Sequence, residues 1–213
     1  MKLAVIGATG WIGGFVLREA RDRGHEVTAV LRGPLRGDGL DEDIHTAVAD
    51  IQDRDALAAA IEGHDAVISA YRAPEDRPDD LVTAARALIG AATDARLPRI
   101  VWVGSTATLK VPGGDTDLVD LPQFPENWKP SGFAHRHSLR VFREESQGLD
   151  WTYISVPRTV KDGVRTGTYR VGGEELLIDE EGQSEISTED LAVAILDEVE
   201  GGRHVRERIT VAY

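Results

Sequence analysis

Short apolar runs alternate with longer amphipathic stretches through the first half of the chain, the pattern of β-α units laid into a parallel sheet. Leu3 to Ile6, Val27 to Leu31, His45 to Ala49, Ala66 to Ser69 and Ile100 to Val103 read as five strands. They are continuous apolar runs more often than alternating ones, as strands covered on both faces by helices should be. Between them Gly13 to Gly24, Asp53 to Gly63 and Asp79 to Ala95 read as helices, with Asp53 as an N-cap and Gly24 and Gly63 as stops.

From Ser105 to Ser131 the periodicity breaks, and Pro112, Pro122, Pro125 and Pro130 punctuate the segment. A connection of that length is either a functional lid or a disordered insert, and Phe124 and Trp128 favour the lid, since loop aromatics usually find a packing partner. A helix is expected from about Gly132 to Gln147, stopped by Gly148, then a strand from Trp151 to Val156. After Pro157 the pattern predicts a hairpin over Thr168 to Ile178, a helix opened by Ser187, and a closing strand over Ile209 to Ala212. The expected architecture is one α/β domain over 1–213: a Rossmann-type, doubly wound, mainly parallel sheet. A lid over 105–131 and a small C-terminal substrate lobe over 157–186 complete it.

Composition narrows the function classes. The 213 residues carry a formal net charge of −13, which repels a phosphate backbone over most of the surface and argues against nucleic acid as a partner. There is no cysteine, so disulfides, thiolate metal sites and cysteine nucleophiles are excluded. The six histidines show no metal-ligand spacing, so no metal site is expected. The apolar start, Met1 to Gly7, is too short for a signal peptide or membrane span, so the sequence predicts a cytoplasmic protein, monomer or homodimer, with no membrane partner.

Candidate chemistry begins at Gly7-Ala8-Thr9-Gly10-Trp11-Ile12-Gly13. This turn follows a strand and opens a helix, so main-chain amides can meet a diphosphate with no Cβ in the way. Strand, turn, helix and second strand fit into the first ~30 residues, the length of a βαβ unit. The alternative is a glycine turn needed only for tight helix-strand packing. Arg32 and Arg36 follow the second strand, where folds that take NAD usually carry an acid. They would attract the 2′-phosphate of NADP, or else be solvated in a polar turn.

Asp50 and Ile51 follow the third strand, and Ser69, Ala70 and Tyr71 follow the fourth, at the edge where open α/β sheets bind ligands. Asp50 could accept from an adenine amino group while Ile51 covers the ring, or it could cap local amides. Tyr71 and Arg72 either edge the groove or lie on the surface. Ser105, after the fifth strand, is a donor to substrate or cofactor in one reading and an N-cap in the other. His135 shares a helical face with Leu139 and Phe142, so it points inward either as a proton donor or as a satisfied core residue. His137 points the other way. None of Tyr71, Tyr153, Tyr169 and Tyr213 has a lysine four residues on, so the tyrosine-lysine acid of carbonyl reduction is missing. Hydride transfer to a planar conjugated acceptor, which needs stacking and distance above all, survives that absence.

Several stretches together carry a resemblance: Lys2 to Gly13, Gly63 to Tyr71, Pro122-Gln123-Phe124-Pro125, Ala134-His135-Arg136, Leu149 to Tyr153, Arg165 to Arg170 and Ile186 to Asp190. Over nearly its whole length the chain resembles the atypical short-chain dehydrogenase/reductases of the NAD(P)H-binding and NADH-flavin reductase type. It is similar also to the biliverdin reductase B and NmrA-like groups. The resemblance implies that Gly7, Thr9, Gly10, Trp11, Ile12 and Gly13 hold the diphosphate, Arg32 the adenosine phosphate, and Ser69 to Tyr71 the middle of the dinucleotide. It implies too that Ser105 matches the active-site serine of the biliverdin reductase B group and that Val156-Pro157 lies against the nicotinamide.

The chain departs from many flavin-reductase-like members after the fifth strand, where Gly104-Ser105-Thr106-Ala107-Thr108-Leu109 replaces Gly-Gly-Ala-Gly-Ser-Leu. The expectation is an NADP-dependent reductase, NAD being the other possible cofactor, with a flavin or other planar small molecule as substrate rather than bound cofactor. The alternative is a non-catalytic NAD(P) sensor of the NmrA-like kind.

Overall fold

The computed structural model describes residues 1–34, 40 and 44–213; Arg36 lies outside the described residues. An eight-stranded sheet forms the centre. Its first five strands are β1 (Lys2–Ile6), β2 (Glu26–Leu31), β3 (His45–Val48), β4 (Ala66–Ser69) and β5 (Arg99–Val103), followed by β6 (Asp150–Ser155). Beyond β6 lie β7 (Thr159–Lys161), β8 (Arg170–Gly172), β9 (Glu185–Ser187) and β10 (Glu207–Ala212). The spatial order is β3-β2-β1-β4-β5-β6-β10-β8, all parallel except β8, and β7 with β9 makes a separate parallel pair. The order reverses between β1 and β4, so the crevice above their carboxyl ends is the topological switch point of an α/β sheet.

Both faces are covered. The helices are α1 (Trp11–Asp22), α2 (Arg54–Ile61), α3 (Asp80–Asp94), α4 (Lys129–Glu145) and α5 (Thr188–Gly201). Leu3 and Val5 pack with Val16, Leu17, Leu191 and Ile195 on the α1/α5 face, whereas Ala4 and Ile6 pack with Leu57, Leu88 and Phe142 on the α2/α3/α4 face. Period-two alternation along one strand thus feeds two cores, which is why β1 reads as an unbroken apolar run. Phe142 anchors the second core, its ring centroid 5.3 Å from Trp102, 5.7 Å from Trp151 and 6.0 Å from Tyr153. Local signals set several helix ends. The Asp53 carboxylate accepts from the Ala56 N–H at 3.1 Å, and the Ser187 hydroxyl from the Asp190 N–H at 3.0 Å.

Two expectations need correction. Thr168 to Ile178 is not a hairpin: β8 pairs antiparallel with β10, and the return half goes elsewhere. The Leu176 N–H donates to the Lys110 carbonyl at 2.9 Å, and the Leu176 side chain is buried with Leu109 and Leu118. A remote apolar pocket outweighs the local two-residue alternation around Gly172-Gly173. Helix α4 also begins three residues before the expected Gly132, with Pro130 in its first turn, where a proline's missing N–H costs nothing. Three short 3-10 turns, 106–108, 118–120 and 126–128, punctuate the segment 105–131. Phe124 packs beside Leu109, Leu118 and Leu176, while Trp128 stays 61% exposed.

Candidate nucleotide site

The turn after β1 is built so that glycine alone fits. Gly7 has φ +80°, and a Cβ there would lie 2.6 Å from the Ala70 carbonyl oxygen. The Gly10 N–H donates back to the Gly7 carbonyl at 2.9 Å, closing the turn. A Cβ on Gly13 would sit 2.0 Å from the Gly7 oxygen, so the third glycine lets α1 pack onto the turn. Gly10 is the N-cap of α1 and offers no side-chain acceptor, and the first turn holds no acid. The first helical hydrogen bond runs from the Gly14 N–H to the Gly10 carbonyl at 2.8 Å, leaving the amides of Trp11, Ile12 and Gly13 without intrahelical acceptors. Those amides and the positive end of the helix dipole suit an anion.

A cleft of about 1130 Å³ opens over this turn. Gly7, Thr9 and Gly10 line it, with Arg32 after β2, Asp50 and Ile51 after β3, and Ala70 and Tyr71 after β4. Eight positions expected at the site thus meet in one groove at the switch point. Trp11, Ile12 and Gly13 lie at the start of α1 beside it: Trp11 is 53% exposed and Gly13 is buried. Ser69 is buried behind the wall, its Oγ without a hydrogen-bond partner among the described residues. The Asp50 carboxylate accepts from the Gln52 N–H at 3.0 Å, a local turn, while Ile51 contributes an apolar surface. Burial, first of all, raises the Tyr71 phenol pKa, so Tyr71 stays a neutral hydroxyl at the groove wall.

Among the described residues of this groove, Arg18, Arg32, Arg72 and Arg77 face Asp50 and Asp80. Arg72 is paired with Glu75 at 2.8 Å and Arg77 with Asp80 at 3.6 Å. Among the described residues Arg32 has no carboxylate partner. Sequence reading missed Gly14, Arg18 and Arg77. The available signal was the four-residue spacing of Gly14 and Arg18 along one face of α1.

Ser105, His135 and Pro157 do not line this cleft. Ser105 stands past β5, held there because Gly104 lies where a Cβ would be 1.9 Å from the Tyr153 ring. Its Oγ accepts from the Ala107 N–H at 3.2 Å, the capping arrangement, which leaves its own hydrogen free to donate. The Thr108 hydroxyl donates to the Ser105 carbonyl at 2.8 Å and lies 2.9 Å from Ser155 Oγ, so this turn is tied to the end of β6. Pro157, two residues past β6, is buried. His135 Nδ1 is 3.2 Å from the Tyr153 hydroxyl, and the His135 carbonyl accepts from Ser138 Oγ at 2.8 Å and from Tyr153 OH at 3.1 Å. Burial lowers the imidazole pKa to about 4, so at neutral pH it carries no proton to give away as a cation. Tyr153 is buried, and the same loss of hydration pushes its phenol far above the ordinary range.

An α/β sheet with a glycine turn at its switch point, an uncapped helix start and an arginine-rich groove defines a Rossmann-type dinucleotide-binding protein. The chain belongs to the NAD(P)H-binding family, whose model matches residues 7–200. It is 35% identical to the uncharacterized protein YwnB of Bacillus subtilis over 99% of this chain and 98% of that protein. Among solved structures, a Streptococcus pneumoniae protein described as a "putative NADH-flavin reductase" is 33% identical, with TM-score 0.88 over 100% of this chain and 99% of the other. A Burkholderia pseudomallei protein described as a "putative exported protein" is 41% identical, with TM-score 0.90 over the whole of both chains. Among the described residues no helix is long and apolar enough to cross a membrane.

Proposed function

We propose that the protein is an NADPH-dependent reductase of flavins or other planar conjugated acceptors. The observation that carries the nucleotide half is the groove itself: first-turn amides without intrahelical acceptors in the same cleft as Arg32, which has no carboxylate partner among the described residues. The Gly7 turn takes the diphosphate, Arg32 the 2′-phosphate, and Ile51 one face of the adenine. When bound, the reduced nicotinamide supplies a hydride, and the proton that completes the reduction of a planar acceptor comes from solvent. Ser105 donates its free hydroxyl hydrogen to the carboxamide or to an acceptor oxygen, and Pro157 forms an apolar floor beside it. His135 orients the acceptor as a neutral imidazole through Nε2, since its Nδ1 is occupied by Tyr153.

The reductase half rests on two features. No tyrosine-lysine pair is present, and Tyr153, the tyrosine bonded to His135, is too deeply buried to reach a substrate. The similar Streptococcus pneumoniae structure described as a "putative NADH-flavin reductase" supports the same acceptor class. The test is steady-state NADPH oxidation with FMN, riboflavin and a quinone. Loss of the dihydronicotinamide absorbance on adding an acceptor is the expected result. Tight nucleotide binding with no turnover for any of them would replace this reading with a redox sensor.

A further inference from the structure

We infer that Arg18, on the second turn of α1, forms with Arg32 a two-arginine site for a phosphomonoester on the adenosine ribose, and so helps select the phosphorylated dinucleotide. This rests on the nucleotide reading of the groove. The chain is strongly acidic, and most of its described arginines are held by carboxylates: Arg23 by Glu19, Asp197 and Glu200, Arg54 by Asp94, Arg86 by Glu145, Arg165 by Glu19. In the groove, Arg72 and Arg77 are neutralised in the same way. Arg18 and Arg32 line the same cleft, and among the described residues neither has a carboxylate partner. Both are exposed, so their guanidinium groups are open to the cleft and can meet a phosphate that a ligand brings there.

Arg18 is exposed at the cleft, and one contact restricts it. Gly14 and Arg18, one turn apart, both face the cleft, so this stripe of α1 looks into it. The guanidinium carbon of Arg18 lies 4.2 Å from the Phe15 ring centroid. The aromatic face covers one side of the planar cation and restricts it, leaving its N–H edge for a phosphate. Arg18 belongs to the second turn of α1, beyond the first-turn amides that face the diphosphate. It can serve a second, separate anionic group.

Calorimetric titration of the full chain with 2′,5′-ADP and with 5′-ADP tests this without any turnover. Arg18→Ala should weaken 2′,5′-ADP ~10-fold and leave 5′-ADP within ~2-fold, with Arg18→Lys in between, as the loss of one charge-assisted contact predicts. Phe15→Leu, which removes the restraint and keeps the charge, should weaken 2′,5′-ADP a few-fold and spare 5′-ADP. Equal loss for both nucleotides would make Arg18 an adenine-stacking or structural residue, and no loss for either would make it a bystander; both overturn the inference. A wild-type chain that binds NADPH and NADH equally would also overturn it, together with the NADPH preference, and leave hydride transfer to a planar acceptor standing. A chain that prefers 2′,5′-ADP yet reduces no acceptor would do the reverse.

Discussion

The groove over β1, β2 and β4 and the turn cluster past β5 and β6 lie along the same sheet edge, yet their polar groups are in opposite states. In the groove some stay uncommitted: the first-turn amides have no intrahelical acceptor, and among the described residues Arg18 and Arg32 have no carboxylate, although Arg72 and Arg77 do. Past β5 they are committed to one another, Ser105 to Ala107, Thr108 to Ser105 and Ser155, and His135 to Tyr153. Arg18 and Arg32 are exposed, so water satisfies them in the free protein and they stay available to an anion that enters the groove. The internally bonded cluster instead holds a shape, and its chemistry is limited to what is left over, one serine hydrogen and one imidazole nitrogen.

The largest expected effect breaks the groove at its backbone. Gly7→Ala forces a side chain into a left-handed position and against the Ala70 carbonyl. It should abolish measurable dinucleotide binding, a loss of ~100-fold or more, and lower stability by ~1–3 kcal/mol. Calorimetry and thermal melting read the two effects separately, and unchanged affinity would mean that the turn does not carry the diphosphate. Next comes Arg32→Ala, expected to weaken NADPH about 10- to 100-fold with NADH unchanged, the size of a lost charge-assisted contact. Equal loss for both cofactors would sink the phosphate assignment.

On the committed side, His135 makes a pH prediction. Its imidazole is held at about 4 in the folded protein against an ordinary 6.5. As pH falls below 6.5 the unfolded chain takes up a proton that the folded chain refuses. The corresponding stability is therefore fully present above 6.5, declines from there to pH 4, and is lost below, by at most ~3 kcal/mol. His135→Asn should remove that part of the acid sensitivity in urea-unfolding midpoints. A slope identical to wild type would show that the ring is not buried against Tyr153 as described. Smallest is Ser105→Ala. Loss of the cap should cost ~0.5–1 kcal/mol and nucleotide affinity should hold, while turnover falls ~10-fold if the free hydrogen matters. A change in melting temperature alone would assign Ser105 to the cap.

Much of the site could be read in advance because its parts are local. Gly7 to Gly13 needs only a strand before it and a helix after it, and Arg32, Asp50, Ile51, Ala70 and Tyr71 each lie within three residues of a strand's end. In a parallel sheet every such position falls on one edge, so naming the strands names the residues of the groove. Arg18 escaped because its relevance depends on which stripe of α1 faces the cleft, and the first-turn glycine pattern says nothing of that. The failed hairpin has a similar origin. Val171 pairs with Val211 on β10, and Leu176 is buried with Leu109 and Leu118, all distant in sequence.

What the residues determined on their own was the β-α alternation, the glycine turn and the caps at Asp53 and Ser187, because each is decided by contacts within a few positions. Tertiary structure alone decided which polar groups remained free. Whether an arginine keeps a carboxylate, or a histidine loses its proton to burial, depends on neighbours brought from elsewhere in the chain. Charge and hydration respond to distances in space, and those exist only once the sheet and its helices have packed.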